Sequence, residues 1–383
     1  MICPETLFVL EAIRVDGNGN SVWQRPDRRA DLNWDLVLQE SLRLGVAPLV
    51  GDFLVAHHSQ STTPFILSNF QDFVRRNSFH NLKLTAELAR LKQLCEARGI
   101  LLVPFKGPTL TDLLYQDLSL RAFGDLDVWV EKHHVLAVSR LLDELGYVAD
   151  LEWQASGDEV FLQTCYQMQF INAKTDVMIE LHWGFWPKYL AQEFSAELVT
   201  GNLIETKPGG ISLPTLNPEL LLLYLCLHGA KHPWETLGQI VDVARLIERF
   251  PALDWGWVVA QARTLRVERM LWLGVLLARD LVGIRLPPEI ERTINQDRTV
   301  ISLAQTAAAW LFGGETGPQN KPQAMIYHFR LQQGWLNKLR YLWRLVAVPT
   351  YSDWKMIRLP INWLAVYPLL RPFRMLKKLA RLS

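Results

Sequence analysis

An α+β fold is predicted for this 383-residue chain, with a small mixed sheet between an N-terminal and a C-terminal helical region. Three observations predict it. Residues 33–98, and those after 218, carry apolar side chains at helical spacing. From Ile100, short apolar runs alternate with helix-like segments. Between Cys165 and Phe185, polar and apolar residues alternate on both sides of a turn, which is the pattern of an antiparallel hairpin.

The front region, 1–98, is read as helical from LVLQESLRLGVAPLVGDFL and NLKLTAELARLKQLCEARG, the latter closing on Gly99. ILLVPF (100–105) reads as a short buried strand, GPTLTDLLYQ (107–116) as a helix and DLDVWV (125–130) as a second strand. HHVLAVSRLLDELG is a helix with a terminal glycine. The hairpin turns at Asn172 to Asp176, so that Met178, Glu180 and His182 share one side of their strand. Asp125 and Asp127 likewise share a side. After KPGGISLPTLNP (207–218), Asn217 and Pro218 open a helix that Pro233 stops. ETLGQIVDVARLIERF makes the next helix, and further helices are expected over 254–283, 297–312 and 322–347. The boundaries expected are 1–98, 99–213 and 214–383.

With 49% hydrophobic residues and 15 Trp, the chain can bury enough apolar surface to offset its conformational entropy. A net charge of +1 gives no global signal for nucleic acid. From Leu331 onward, ten Lys and Arg face a single acid, Asp353, which makes a local basic tail interleaved with Trp and Tyr. Four widely spaced cysteines read as reduced thiols, with no zinc ribbon or disulfide framework. No basic, apolar leader opens the chain, and LPINWLAVYPLL (359–370) is too short and proline-rich to span a membrane, so a cytoplasmic location is expected.

A D-x-D pair on a strand sets two carboxylates about 6–7 Å apart on one face. That suits one or two magnesium (or manganese) ions bridging triphosphate oxygens. Glu180, on a neighbouring strand, would complete a three-carboxylate site and activate an attacking hydroxyl. His182 would share that cleft, either on a phosphate or orienting Glu180. Gly107, between a strand and a helix, lets backbone amides approach phosphate oxygens, with Lys106 and Thr109 beside it. Arg121 either holds the carboxylates or stabilises charge in phosphoryl transfer. His228, Lys231 and His232 fall at i, i+3 and i+4, so one helix face offers three phosphate donors. A zinc reading of the two histidines lacks both the H-E-x-x-H glutamate and a third ligand. Asp242 is expected to pair with Lys231 or Arg245, and Trp183 and Trp234 are candidates to stack on a base.

These residues together resemble a family. KG-x-x-L at 106–110, Tyr115, Arg121, D-L-D at 125–127, E-L-H-W at 180–183 and H-x-x-K-H at 228–232 are similar to the uncharacterised bacterial nucleotidyltransferase family of the DNA polymerase β-like superfamily. PTYSDW and LP-x-x-W-x-x-x-Y-x-x-x-RP at 359–372 resemble its C-terminal signature, so the likeness runs from about Leu38 to the end. It implies a nucleotidyltransferase core at 99–213, with Asp125 and Asp127 as metal ligands and Glu180 as the third catalytic carboxylate. One departure stands out. The superfamily usually has Gly-Gly or Gly-Ser after the first strand, whereas Gly107 is followed by Pro108, which has no amide to donate.

The expected activity is metal-dependent transfer of a nucleoside monophosphate from a nucleoside triphosphate to a hydroxyl-bearing acceptor, with pyrophosphate leaving. Two alternatives remain at this point. One is a non-catalytic nucleotide-sensing scaffold whose tail, 331–383, engages a partner or membrane surface. The other is a toxin-like nucleotidyltransferase acting on tRNA or protein.

Overall fold

A computed structural model describes residues 3–14, 32–57, 64–151, 158–313, 317–318, 321–351 and 354. The 359–372 signature and most of the basic tail lie outside these residues.

Helices α1 (Pro4–Ile13), α2 (Trp34–Arg43), α3 (Ala47–His57) and the long α4 (Pro64–Glu96) open the chain. The central part follows as β1 (Val103–Pro104), α5 (Gly107–Tyr115), β2 (Asp125–Trp129), α6 (Val135–Glu144), β3 (Val148–Ala149), α7 (Asp158–Thr164), β4 (Gln167–Asn172) and β5 (Val177–His182). After α8 (Ala196–Thr200), β6 (Leu203–Thr206) and β7 (Leu213–Leu216) form a separate antiparallel pair. The rest is helical: α9 (Pro218–Lys231), α10 (Leu237–Arg249), α11 (Trp255–Leu265), α12 (Glu268–Leu277), α13 (Pro288–Gln296), α14 (Arg298–Phe312), α15 (Lys321–Leu331) and α16 (Gly334–Ala347).

The five-stranded sheet runs β1-β2-β5-β4-β3. β2 and β5 are parallel and every other pair is antiparallel, so the sheet is mixed as expected. Its rear face carries Leu126, Val128, Ile179 and Leu181, all buried against Leu84, Leu88 and Leu91 of α4 and Val138 and Leu142 of α6. Each such side chain contributes about 1.5–3 kcal/mol of burial free energy. This anchors the strands so that the alternate residues, the acids among them, must face the other way. A second apolar core joins α1–α3 to α9–α14 and takes in Phe105, Leu110 and Trp129.

Several elements differ from expectation. Of the strand expected over 100–105, the ladder covers Val103–Pro104, and the Phe105 N–H donates to the Asp127 carbonyl at 3.3 Å; Pro104 itself has no N–H to add. The helix over 254–283 breaks at Arg266, which is left-handed at φ 61°, and the one over 322–347 breaks before Gly334 at φ 73°. The β6–β7 pair is not among the expected elements: β7 lies within KPGGISLPTLNP (207–218), where Pro214 and the Gly209-Gly210 turn mask a four-residue strand, and β6 precedes it. Cys95, Cys165 and Cys226 are buried free thiols, and Cys3 is half-buried. Among the described residues, no helix is long and apolar enough to cross a membrane.

Candidate active site

The parallel register of β2 and β5 sets Asp125 opposite Met178, Asp127 opposite Glu180 and Trp129 opposite His182. Like charges on directly opposed strand residues repel. Here they are held by a ring of partners. Lys106 Nζ lies 2.9 Å from Asp127 Oδ2. Gln169, the β4 residue paired with Glu180, donates to Glu180 Oε1 at 2.7 Å. His182 Nε2 lies between the acids, 3.3 Å from Asp127 Oδ1 and 3.4 Å from Glu180 Oε2.

The His182 ring is buried and packs edge-on against Phe105, with centroids 5.0 Å apart. Its Nδ1 lies 3.2 Å from the Gly184 carbonyl, which can only accept. The proton of a neutral ring is therefore on Nδ1, and Nε2 faces two carboxylates without an aligned hydrogen bond to either. That arrangement calls for a second proton or a cation. One ligand atom from each of Asp127, Glu180 and His182 lies within 4.8 Å of the others. Two carboxylates and an imidazole at this spacing fit a divalent ion, with oxygen donors suited to magnesium or manganese. Asp125 flanks this group, bordering the adjoining cavity.

The electrostatics follow from crowding. Burial and the charge of Asp127 push Asp125 up to about 6. Burial would also raise Asp127, but Lys106 and His182 hold it well below the carboxylate range. Glu180 is held at about 2: burial opposes this, but closeness to His182 and the Gln169 hydrogen bond prevail. Burial lowers His182, yet the two acids outweigh it and the net shift is upward.

A cavity of about 200 Å³ opens beside Asp125 and Asp127, lined also by Lys106, Gly107, Arg121 and His228. Gly107 is left-handed at φ 53°, and a Cβ there would sit 3.3 Å from the Asp125 carbonyl, so the turn from β1 into α5 needs glycine. Arg121 is fixed from two sides. Asn81 of α4 donates to the Arg121 carbonyl at 2.8 Å, and Asp242 of α10 takes hydrogen bonds from Arg121 Nε at 3.0 Å and Nη2 at 3.0 Å. Tyr115 donates to the same aspartate at 2.8 Å. Nη1 of Arg121 is buried without a hydrogen-bond partner, in a residue that lines the cavity.

Several sequence-based assignments change. Thr109 is buried, and its hydroxyl donates to the Pro104 and Lys106 carbonyls, so it braces the turn and does not reach phosphate. Asp242 pairs with Arg121, not with Lys231 or Arg245. His228 is kept neutral: burial, then the charge of Lys106, lowers it well below its ordinary range. It offers a hydrogen bond and no countercharge. The three-donor face is split: His232 lies 3.7 Å from Glu235 and lines neither this cavity nor the one holding Lys231. Trp183 is buried with its indole N–H given to the Leu162 and Cys165 carbonyls, and Trp234 is buried against Gly229. Both are core residues. Gln169 is absent from the residues expected in the site; the register of the hairpin, set by its turn, places it opposite Glu180.

A family model described as an uncharacterised nucleotidyltransferase matches residues 30–283, about two thirds of the sequence. The chain belongs to this family. It is therefore a transferase of the nucleotidyltransferase type. Among solved structures, a lincomycin-bound lincosamide antibiotic adenylyltransferase, LnuA, is similar at 17% identity, over 42% of this chain and 94% of that one, with a TM-score of 0.31. Comparison with curated proteins gives no match.

Proposed function

We propose that this nucleotidyltransferase moves a nucleoside monophosphate from a nucleoside triphosphate to the hydroxyl of an acceptor, releasing pyrophosphate. The observation that carries this reading is the Asp127–Glu180 register with His182 Nε2 between the carboxylates. Asp125, Asp127 and Glu180 would hold magnesium or manganese, with His182 at the edge of the set. Bound there, the metal would neutralise triphosphate charge and acidify the acceptor hydroxyl.

The chain's own residues supply the rest. Glu180, ionised at neutral pH and fixed by Gln169, takes the acceptor proton. The acceptor oxygen then bonds to the α-phosphorus, and the bond from that phosphorus to the bridging oxygen breaks. Lys106 exchanges Asp127 for the triphosphate, and Arg121 meets it through Nη1. The N-terminus of α5 adds its amides, one fewer than usual because of Pro108. In-line displacement depends on such positioning and charge stabilisation.

The test is incubation with magnesium and the four triphosphates plus a cellular small-molecule extract, followed by mass spectrometry. An acceptor gaining one nucleotide unit with wild type, and not with Asp127→Asn, is expected. Pyrophosphate release that is equal in the two proteins would reject the assignment.

A further inference from the structure

A second cavity, of about 190 Å³, lies on the other side of the acid cluster. The strand order places it. β2 and the turn after β1 border the first cavity through Asp125, Asp127 and Lys106, whereas Tyr166 and Gln167, at the start of β4, line the second. β5, with Glu180, stands between.

Two features of this cavity point to a ligand. Lys231 is half-buried, with Nζ 5.0 Å from the Tyr166 ring centre, and among the described residues no carboxylate lies within salt-bridge distance of it. A desolvated ammonium without an anion is costly. Gln167 Oε1 is buried with no hydrogen-bond partner. Lys188 adds a second cation to the lining, while Tyr166 reaches back to the acid cluster, its ring centre 6.1 Å from that of His182.

Resting on the nucleotidyl-transfer reading, we propose that this second cavity is the acceptor pocket, and that it takes a small hydroxyl-bearing molecule with a flat, largely apolar body and a carboxylate or phosphate group. Lys231 and Lys188 hold the anion, Tyr166 packs on the body, and the hydroxyl is presented to Glu180. The cations of the site are thereby divided. Lys106 and Arg121 serve the triphosphate; Lys231, grouped with them on sequence grounds, serves the acceptor. Two anionic substrates can then approach one metal site from opposite sides without sharing a countercharge.

The experiment uses two probes, phenyl phosphate and 4-hydroxybenzoate, titrated into the full chain with and without a saturating non-hydrolysable triphosphate analogue and magnesium. At least one probe is expected to bind alongside the nucleotide and to bind about tenfold more weakly to Lys231→Met, the loss of a charged hydrogen-bond partner. Lys188→Met, the second cation of the lining, weakens it about two- to fivefold. Nucleotide affinity is unchanged in both variants but falls in Arg121→Met. The proposal is overturned if neither probe binds, if nucleotide displaces both, or if Lys231→Met leaves probe binding intact or weakens nucleotide as Arg121→Met does. Absence of nucleotide binding to wild type would instead reject the nucleotidyl-transfer reading, while the nucleotide-free titration still decides the cavity.

Discussion

Arg121–Asp242 and Lys106–Asp127 are both buried ion pairs beside the same cavity, but their surroundings differ in charge balance. Asp242 receives hydrogen bonds from two nitrogens of one guanidinium, Nε and Nη2, and another from Tyr115. One acid meets one cation, and the pair clamps α10 of the helical region to the loop before β2. Around Lys106, three carboxylates share one lysine and a histidine. The first pair is balanced in charge and holds Arg121 in place, with Nη1 left toward the cavity. The second carries surplus negative charge that a metal would complete, and the difference separates a charge-balanced clamp from a cluster poised for a cation.

The comparison breaks most visibly at Asp242. Asp242→Ala leaves the buried Arg121 uncompensated and should cost about 3–5 kcal/mol of stability, read from denaturant unfolding. Asp127→Asn should divide its effects differently. It removes the direct partner of Lys106, but Asp125 and Glu180 remain nearby to balance that lysine, so the stability loss should be smaller than at Asp242, while initial rates of transfer fall by about 10³-fold, roughly 4 kcal/mol of transition-state stabilisation. Equal stability losses in the two variants would erase the distinction.

Smaller effects sharpen it. Gly107→Ala imposes a left-handed conformation on a side chain and crowds the Asp125 carbonyl, for about 1–2 kcal/mol in thermal unfolding, together with weakened nucleotide binding. The smallest expected effect is in pH dependence. Asp125 titrates at about 6 when folded, against an ordinary 3.8, so its ionisation opposes folding. That penalty is absent below about 4, grows as pH rises, and is fully present above about 6. Asp125→Asn should therefore be more stable than metal-free wild type at pH 7.5, and the gap should close as pH falls from 6 toward 4. A gap independent of pH would mean that Asp125 is not crowded.

Strand chemistry was legible in the sequence, because a period of two dictates faces: Asp125, Asp127, Glu180 and His182 were placed on one side before any register was known. The mixed sheet was legible for the same reason. Long-range pairing was not. The partners Arg121 and Asp242 are brought together by the docking of α10, and nothing local marks that contact. Helical spacing also grouped His228, Lys231 and His232, yet at the C-terminal end of α9 neighbouring positions diverge into different surroundings. Trp183 and Trp234 were ambiguous because an aromatic that stacks on a base and one that fills a core are alike in sequence. Only burial separates them.

The most direct test of the three-carboxylate site is calorimetric titration of a non-hydrolysable triphosphate analogue, with and without magnesium, into wild type and the Asp125→Ala, Asp127→Ala double variant. Saturable, magnesium-dependent binding to wild type, weakened at least about tenfold in the variant, is the predicted result. Unchanged magnesium-dependent affinity in the double variant would contradict it.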